Sequence, residues 1–171
     1  INPRYPVNET IMTPITSIQD LKTLYEQRVP RMFFDYTESG SWTEQTFRDN
    51  EQELQALTFK QRVLVDISRR ELGSSMLGQP VSMPVALSPV GLTGFQCGDG
   101  EIKAARAAAQ FGVPYTLSTM SICSIEDVAS ATDQPFWFQL YVMKDRGFVK
   151  ALIERAKAAR CSALVLTADL Q

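Results

Sequence analysis

From Ser82 onward the chain alternates short apolar runs with stretches of helical periodicity, and this alternation restricts the fold more than any other feature. MPVAL at 83–87 leads to GEIKAARAAAQ at 100–110, and PYTL at 114–117 leads to SIEDVA at 124–129. FWFQL at 136–140 leads to a stretch at 145–159 in which Val149, Leu152, Ile153 and Ala156 share one helical face, and ALVLT at 163–167 follows. The pattern reads as β-α-β-α-β-α-β. Strand starts recur roughly every 20 to 30 residues, the period of a βα unit with a short helix, which predicts parallel strands joined by right-handed crossovers.

Upstream the pattern differs. Residues 1–13 carry Pro3 and Pro6 without periodicity and read as an extended arm. Ser17 and Asp20 form a capping-box-like start for a helix reaching about Val29, with Ile18, Leu21, Leu24 and Tyr25 at helical spacing. Pro30 suits the first turn of a second helix ending at Gly40, and Thr43 opens a third with Phe47, Leu54 and Leu57 as a thin apolar stripe. Three helices thus precede any strand. The organisation expected is 1–81 as the N-terminal arm and helices of a barrel domain, and 82–171 as its first four strands and three helices.

Two architectures accommodate such a pattern, an open doubly wound sheet or the N-terminal half of a TIM (β/α)8 barrel. The first strand-to-helix turn, SPVGLTGFQCGDG at 88–100, spaces its glycines too widely for GxGxxG and lacks GxxxxGK[ST]. A barrel places functional groups at the C-terminal ends of its strands. Each run here ends in polar or Gly/Pro positions: Pro89 and Gly91, Ser118 and Thr119, Gln139 and Tyr141, Thr167 and Asp169. The fold class expected is therefore α/β, half a barrel preceded by a helical segment. Half a barrel leaves sheet edges open and an apolar face uncovered, so the rest is expected to lie in a longer gene product, as the start without Met also suggests. The longest uncharged run, 72–98, contains Pro80, Pro84 and Pro89 and reads as strand plus loops, not as a membrane helix.

Composition narrows the chemistry. Net charge is −2 and the basic residues are scattered, which shows no electrostatic footprint for nucleic acid. Three cysteines without a CxxC pair fit a reducing, cytoplasmic setting and offer no metal site. The chain has no histidine, which removes the commonest general base and metal ligand.

Ser118, Gln139 and Thr167 offer neutral donors and acceptors suited to the edge of a planar heteroaromatic ring, and the backbone at Pro89, Val90 and Gly91 can approach a ligand because Gly91 has no Cβ. Strand-end polar residues also serve simply to satisfy loop backbone. Asp169 can orient a catalytic imidazole or cap the next helix. Tyr36 and Tyr141 can hydrogen-bond a carboxylate or oxyanion, or pack as half-buried rings. Met120 lies near a strand end, where it can line a pocket. Asp145 reads as an N-cap, and the cysteines as structural.

The strings MFFDYTESG, RVLVDIS, SMPVALSPVGLTG, TLSTMS, SIEDVA, WFQLYVMKDRGF and LVLTAD stand in the order and spacing of the FMN-dependent L-2-hydroxy acid oxidases and dehydrogenases, from about Ile15 to Asp169. The resemblance is greatest to the bacterial respiratory L-lactate dehydrogenase branch, with mandelate and glycolate enzymes as more distant relatives. It implies an eightfold barrel with FMN at the strand C-termini, Pro89, Val90 and Gly91 against the flavin's reactive nitrogen, and Ser118, Gln139 and Thr167 on its polar edge. It implies further that Tyr36 binds the substrate carboxylate, that Tyr141 faces the substrate hydroxyl, that Met120 shapes the substrate pocket and that Asp169 pairs with a histidine not in this chain. Oxidation of a small L-2-hydroxy acid, L-lactate first, would pass electrons to a quinone-type acceptor, since Gly91 stands where several oxygen-using members have Ala. Relatives imply a homotetramer on the cytoplasmic face of the inner membrane. A glycolate or mandelate enzyme of the same family, a cofactor-free phosphate-binding barrel lyase or isomerase, and a binding module are the alternatives.

Overall fold

The computed structural model describes residues 14–168. It divides into two compact units, Ile1–Phe47 and Arg48–Gln171. The expected N-terminal arm lies outside the described residues.

In the first unit, α1 (Ile18–Arg28) opens with a complete capping box between Ser17 and Asp20, which satisfies two of the N–H groups a helix start leaves unpaired. Next, α2 (Arg31–Thr37) follows Pro30. The Tyr25 and Phe34 rings meet with centroids 5.3 Å apart, and the Tyr25 hydroxyl reaches Thr37 Oγ1 at 2.9 Å. α2 stops three residues short of the expected Gly40, where a Cβ would sit 3.0 Å from the Phe47 Cβ. α3 (Gln45–Gln55) follows, and its stripe of Phe47 and Leu54 stays exposed.

The second unit starts within α3, and its first strands form an antiparallel hairpin, β1 (Ser74–Met76) and β2 (Gln79–Val81). Its two-residue loop, Leu77 and Gly78, has φ of 48° and 77°, the left-handed pair that matches hairpin twist. The hairpin is absent from the sequence-based reading because leucine at the first loop position carries none of the usual turn signal. The strand expected at 83–87 shrinks to a single parallel bridge between Leu87 and Tyr115. Pro84 and Pro89 cannot donate ladder hydrogen bonds, and the Val85 N–H turns back to the Met83 carbonyl at 2.8 Å.

Beyond this point the expected alternation holds. A short α4 (Thr93–Gln96) precedes α5 (Gly100–Phe111), β3 (Thr116–Leu117), α6 (Ile125–Ala131), β4 (Trp137–Leu140), α7 (Arg146–Ala158) and β5 (Ala163–Leu166). β3, β4 and β5 are parallel and adjacent in chain order, with Phe138 opposite both Leu117 and Leu164. The Leu87 bridge extends the same progression. A doubly wound sheet reverses its strand order at a switch point; among the described residues none occurs. The result is a partial α/β sheet whose described strands do not close into a barrel.

One face of this sheet forms the core. Leu117, Phe136, Phe138 and Leu140 pack with Ala105 and Ala108 of α5, Ile125 and Val128 of α6, and Val149, Leu152 and Ala156 of α7. Leu164 and Leu166, paired with Phe138 and Leu140, share that face but remain 47% and 59% exposed. Among the described residues no helix is long and apolar enough to cross a membrane.

Candidate active site

Alternation along β4 sends Phe138 and Leu140 into the core and Gln139 to the opposite face. Gln139 is nonetheless 1% exposed, and Ser118, at the end of β3, is 3% exposed. Buried amides and hydroxyls need partners, and these two supply one another. Gln139 Oε1 accepts from Ser118 Oγ at 3.2 Å and from the Thr119 N–H at 3.1 Å. Its Nε2 donates to Thr167 Oγ1, just past β5, at 2.7 Å. Three successive strand ends are thereby tied in one line through a single side chain.

Thr119 adds a second tie. Its Oγ1 donates to the Gln139 carbonyl at 2.6 Å and accepts the Tyr141 N–H at 3.2 Å. Tyr141, half-buried, is held by its backbone beside the row. Met120, 48% exposed, donates its N–H to Ser118 Oγ at 3.1 Å and accepts the Leu92 N–H at 2.9 Å. Gly91 comes close to the same place: a Cβ there would lie 3.2 Å from Met120 Cβ and 3.9 Å from Ser118 Oγ. Pro89 and Val90 are exposed, and the Val90 carbonyl accepts from Thr93 Oγ1 at 3.1 Å.

The row ends with unused donors. Among the described residues the second Nε2 proton of Gln139 and the N–H of Gly91 have no hydrogen-bond acceptor, and neither has the Thr167 hydroxyl proton. No charged side chain takes part, so the arrangement suits neutral carbonyl and ring-nitrogen acceptors of a polar planar ring. The structure thus brings Gly91, Ser118, Met120, Gln139, Tyr141 and Thr167 together. Tyr36 lies on α2 in the first unit and is 69% exposed, and Asp169 lies outside the described residues.

The thiols lie apart from this chemistry. Burial pushes Cys161 up to about 11, and burial followed by the Glu101 carboxylate raises Cys123; neither is a ready nucleophile. No group of three or more metal-ligating side chains occurs among the described residues.

The sequence profile of FMN-dependent dehydrogenases matches residues 25–171. The chain belongs to the FMN-dependent dehydrogenase family. Among relatives, the L-lactate dehydrogenase of Ectopseudomonas mendocina is 48% identical over 156 residues, covering 91% of this chain and 41% of the relative. That of Xanthomonas campestris is also 48% identical, with 91% and 40% covered. A soluble mutant of the membrane-associated (S)-mandelate dehydrogenase from Pseudomonas putida superposes with a TM-score of 0.86 at 38% identity, covering 92% of this chain and 45% of that one. A mandelate oxidase gives 0.84 at 32% identity, with 92% and 46% covered. The chain spans about two-fifths of the length of the curated relatives it matches.

Two residues of this family member escaped the sequence-based site. Thr119 was visible only as a strand-end polar residue; its bridging role depends on the parallel register of β3 and β4. Glu101 looks like an ordinary first-turn acid of α5, yet it is fully buried, which no local pattern announces.

Proposed function

We propose that this chain forms the N-terminal half of a TIM-barrel enzyme that binds FMN and oxidises a small L-2-hydroxy acid, L-lactate to pyruvate, with a quinone-type acceptor. In this reading residues 1–81 are the arm and helices of the barrel domain, and 82–171 contribute its first strands. The observation that carries it is the row from Gly91 through Ser118 and Gln139 to Thr167, buried at Ser118 and Gln139, neutral throughout and left with donors unspent at the strand ends. Sequential parallel order supports the barrel, and 48% identity to L-lactate dehydrogenases against 38% to mandelate dehydrogenase supports lactate.

The residues present fit the flavin. Gln139 Nε2 and the Thr167 hydroxyl donate to its carbonyl edge, Ser118 holds the Gln139 amide in the orientation that leaves that proton outward, and the Pro89–Val90–Gly91 backbone approaches the reactive nitrogen. FMN, when bound, supplies the two-electron acceptor for the substrate's hydroxyl carbon. Tyr141 positions the substrate hydroxyl, Met120 limits the side chain admitted, and Tyr36 binds the carboxylate. Asp169 orients a general base supplied from outside these residues, since the chain has no histidine. Gly91 leaves the approach to the ring open, which favours a bulky quinone. A homotetramer and a peripheral contact with the cytoplasmic membrane face belong to the same reading, the contact supported by the membrane-associated mandelate dehydrogenase.

The test is the visible spectrum of the full-length protein before and after anaerobic L-lactate. A yellow protein that bleaches and recovers with a quinone is expected. A colourless protein that cannot be reconstituted with FMN would overturn the proposal, and bleaching by mandelate or glycolate in preference to lactate would overturn the substrate.

A further inference from the structure

Beside the strand ends lies a charged group that the reaction as proposed does not use. Glu101, in the first turn of α5, has a relative exposure of 0%, a position carboxylates take only when donors compensate the lost water. Its Oε1 accepts two backbone N–H groups from different segments, Gly94 at 3.1 Å and Ile122 at 2.9 Å. Oε2 is buried without a hydrogen-bond partner among the described residues. Burial pushes the Glu101 pKa up, but the N–H groups of Ile122 and of Glu101 itself, the Cys123 thiol and the Gly94 N–H outweigh it and hold the group ionised below the usual carboxylate range.

The packing around it leaves no slack. A Cβ on Gly94 would lie 2.6 Å from the Ile122 Cβ and 3.1 Å from Glu101 Oε2, and a Cβ on Gly100 would lie 2.7 Å from the Thr93 carbonyl oxygen. Leu92 is held at φ 58°, a left-handed conformation that a leucine keeps only when its surroundings over-determine it. Its N–H meets the Met120 carbonyl at 2.9 Å. Gly94 stands three residues beyond Gly91, and Ile122 two beyond Met120. One carboxylate therefore fastens the segment carrying Gly91 to the segment carrying Ser118 and Met120.

We propose that Glu101 is a positioning residue for FMN: by fastening these two segments it sets where the Gly91 N–H stands at the flavin and where Ser118 holds the Gln139 amide. The inference rests on the FMN reading of the site. Its test uses the full-length protein as wild type, E101Q and E101A, with FMN affinity, the visible flavin spectrum, the flavin midpoint potential and thermal unfolding measured for each. E101Q keeps a carbonyl acceptor for the two N–H groups but removes the charge and puts an NH2 donor in the place of Oε2; it is expected to fold and to weaken FMN roughly threefold with a shifted flavin band, whereas E101A weakens FMN by more than about tenfold. If E101A does not fold, E101Q decides alone. Variants with lowered unfolding temperature but unchanged FMN affinity, spectrum and potential would show a purely structural glutamate and overturn the inference. A wild-type protein that never takes up FMN would instead overturn the reading on which it rests.

Discussion

Gln139 connects more of the candidate site than any other side chain, because its amide reaches from β4 to the ends of both neighbouring strands and is almost wholly buried. Leucine of similar size in its place orphans the Ser118 hydroxyl and the Thr119 N–H, each worth on the order of 1–3 kcal/mol when buried unpaired. Gln139→Leu is therefore expected to lower unfolding free energy by about 2 kcal/mol or more and to abolish tight FMN uptake, as read by urea unfolding and flavin fluorescence. Gly91→Ala tests the opposite edge. The added methyl sits 3.2 Å from the Met120 Cβ and 3.6 Å from its carbonyl oxygen, on backbone that Ser118 and Leu92 hold, so relief needs a small backbone shift and stability should fall by about 1 kcal/mol or more. The methyl narrows the approach to the ring, and the ratio of quinone to oxygen reoxidation rates, measured by stopped flow on the full-length protein, is expected to fall. Ser118 and Thr167 stood out as candidates in the chain because each follows an apolar run, and Gln139 because it interrupts one next to its end. Glu101 was not, since an acid in a first helical turn ordinarily stabilises the helix dipole from solvent.

α6 and α7 show how capping and charge fix the helices that back this row. Ser124 and Asp127 close a complete capping box, and Asp145 caps α7 through the Phe148 N–H at 3.0 Å, as the sequence predicts. Across the two helices Arg155 grips Glu126 in two bonds of 2.8 and 2.7 Å. Hydrogen bonding to Arg155 holds Glu126 down to about 2, from an ordinary value of 4.5. A folded-state pKa below the unfolded one gives stability that is present above pH 4.5 and is lost as pH falls toward 2. The pair is exposed and screened, so Glu126→Gln should cost about 1 kcal/mol or less at neutral pH. The gap between variant and wild type should close between pH 4.5 and 2 in denaturant titrations. Element boundaries were less legible where backbone exceptions govern. Proline at 84 and 89 dissolves the expected first strand into the Leu87 bridge, and the Leu77–Gly78 turn creates a hairpin from residues with little strand signal.

The sheet as a whole grows by adding each strand beside the last, with its helices on one face and the Gln139 row on the other. Leu164 and Leu166 lie on the helix-covered face but extend past the cover, leaving exposed apolar side chains at the β5 end. Uncovered apolar surface next to a strand edge without a partner among the described residues invites association. The 171-residue chain expressed alone is therefore expected to bind a hydrophobic dye and to elute as mixed oligomers. The full-length protein should do neither to the same degree; equal dye binding by both would show that β5 is not covered by further strands and helices.

Local pattern was enough to indicate the parallel βα order, the caps at Ser17 and Asp145 and the polar residues near the end of each strand. Which of those residues meet is a question of register between segments more than 20 positions apart, as in the bonds from Ser118 to Gln139 and from Gln139 to Thr167. Burial of Glu101 is likewise decided by α4, α5 and the segment after β3 converging on one point. Close packing can make a charged side chain internal and a glycine irreplaceable only after the folded chain has brought distant backbone together, which no short window of residues encodes.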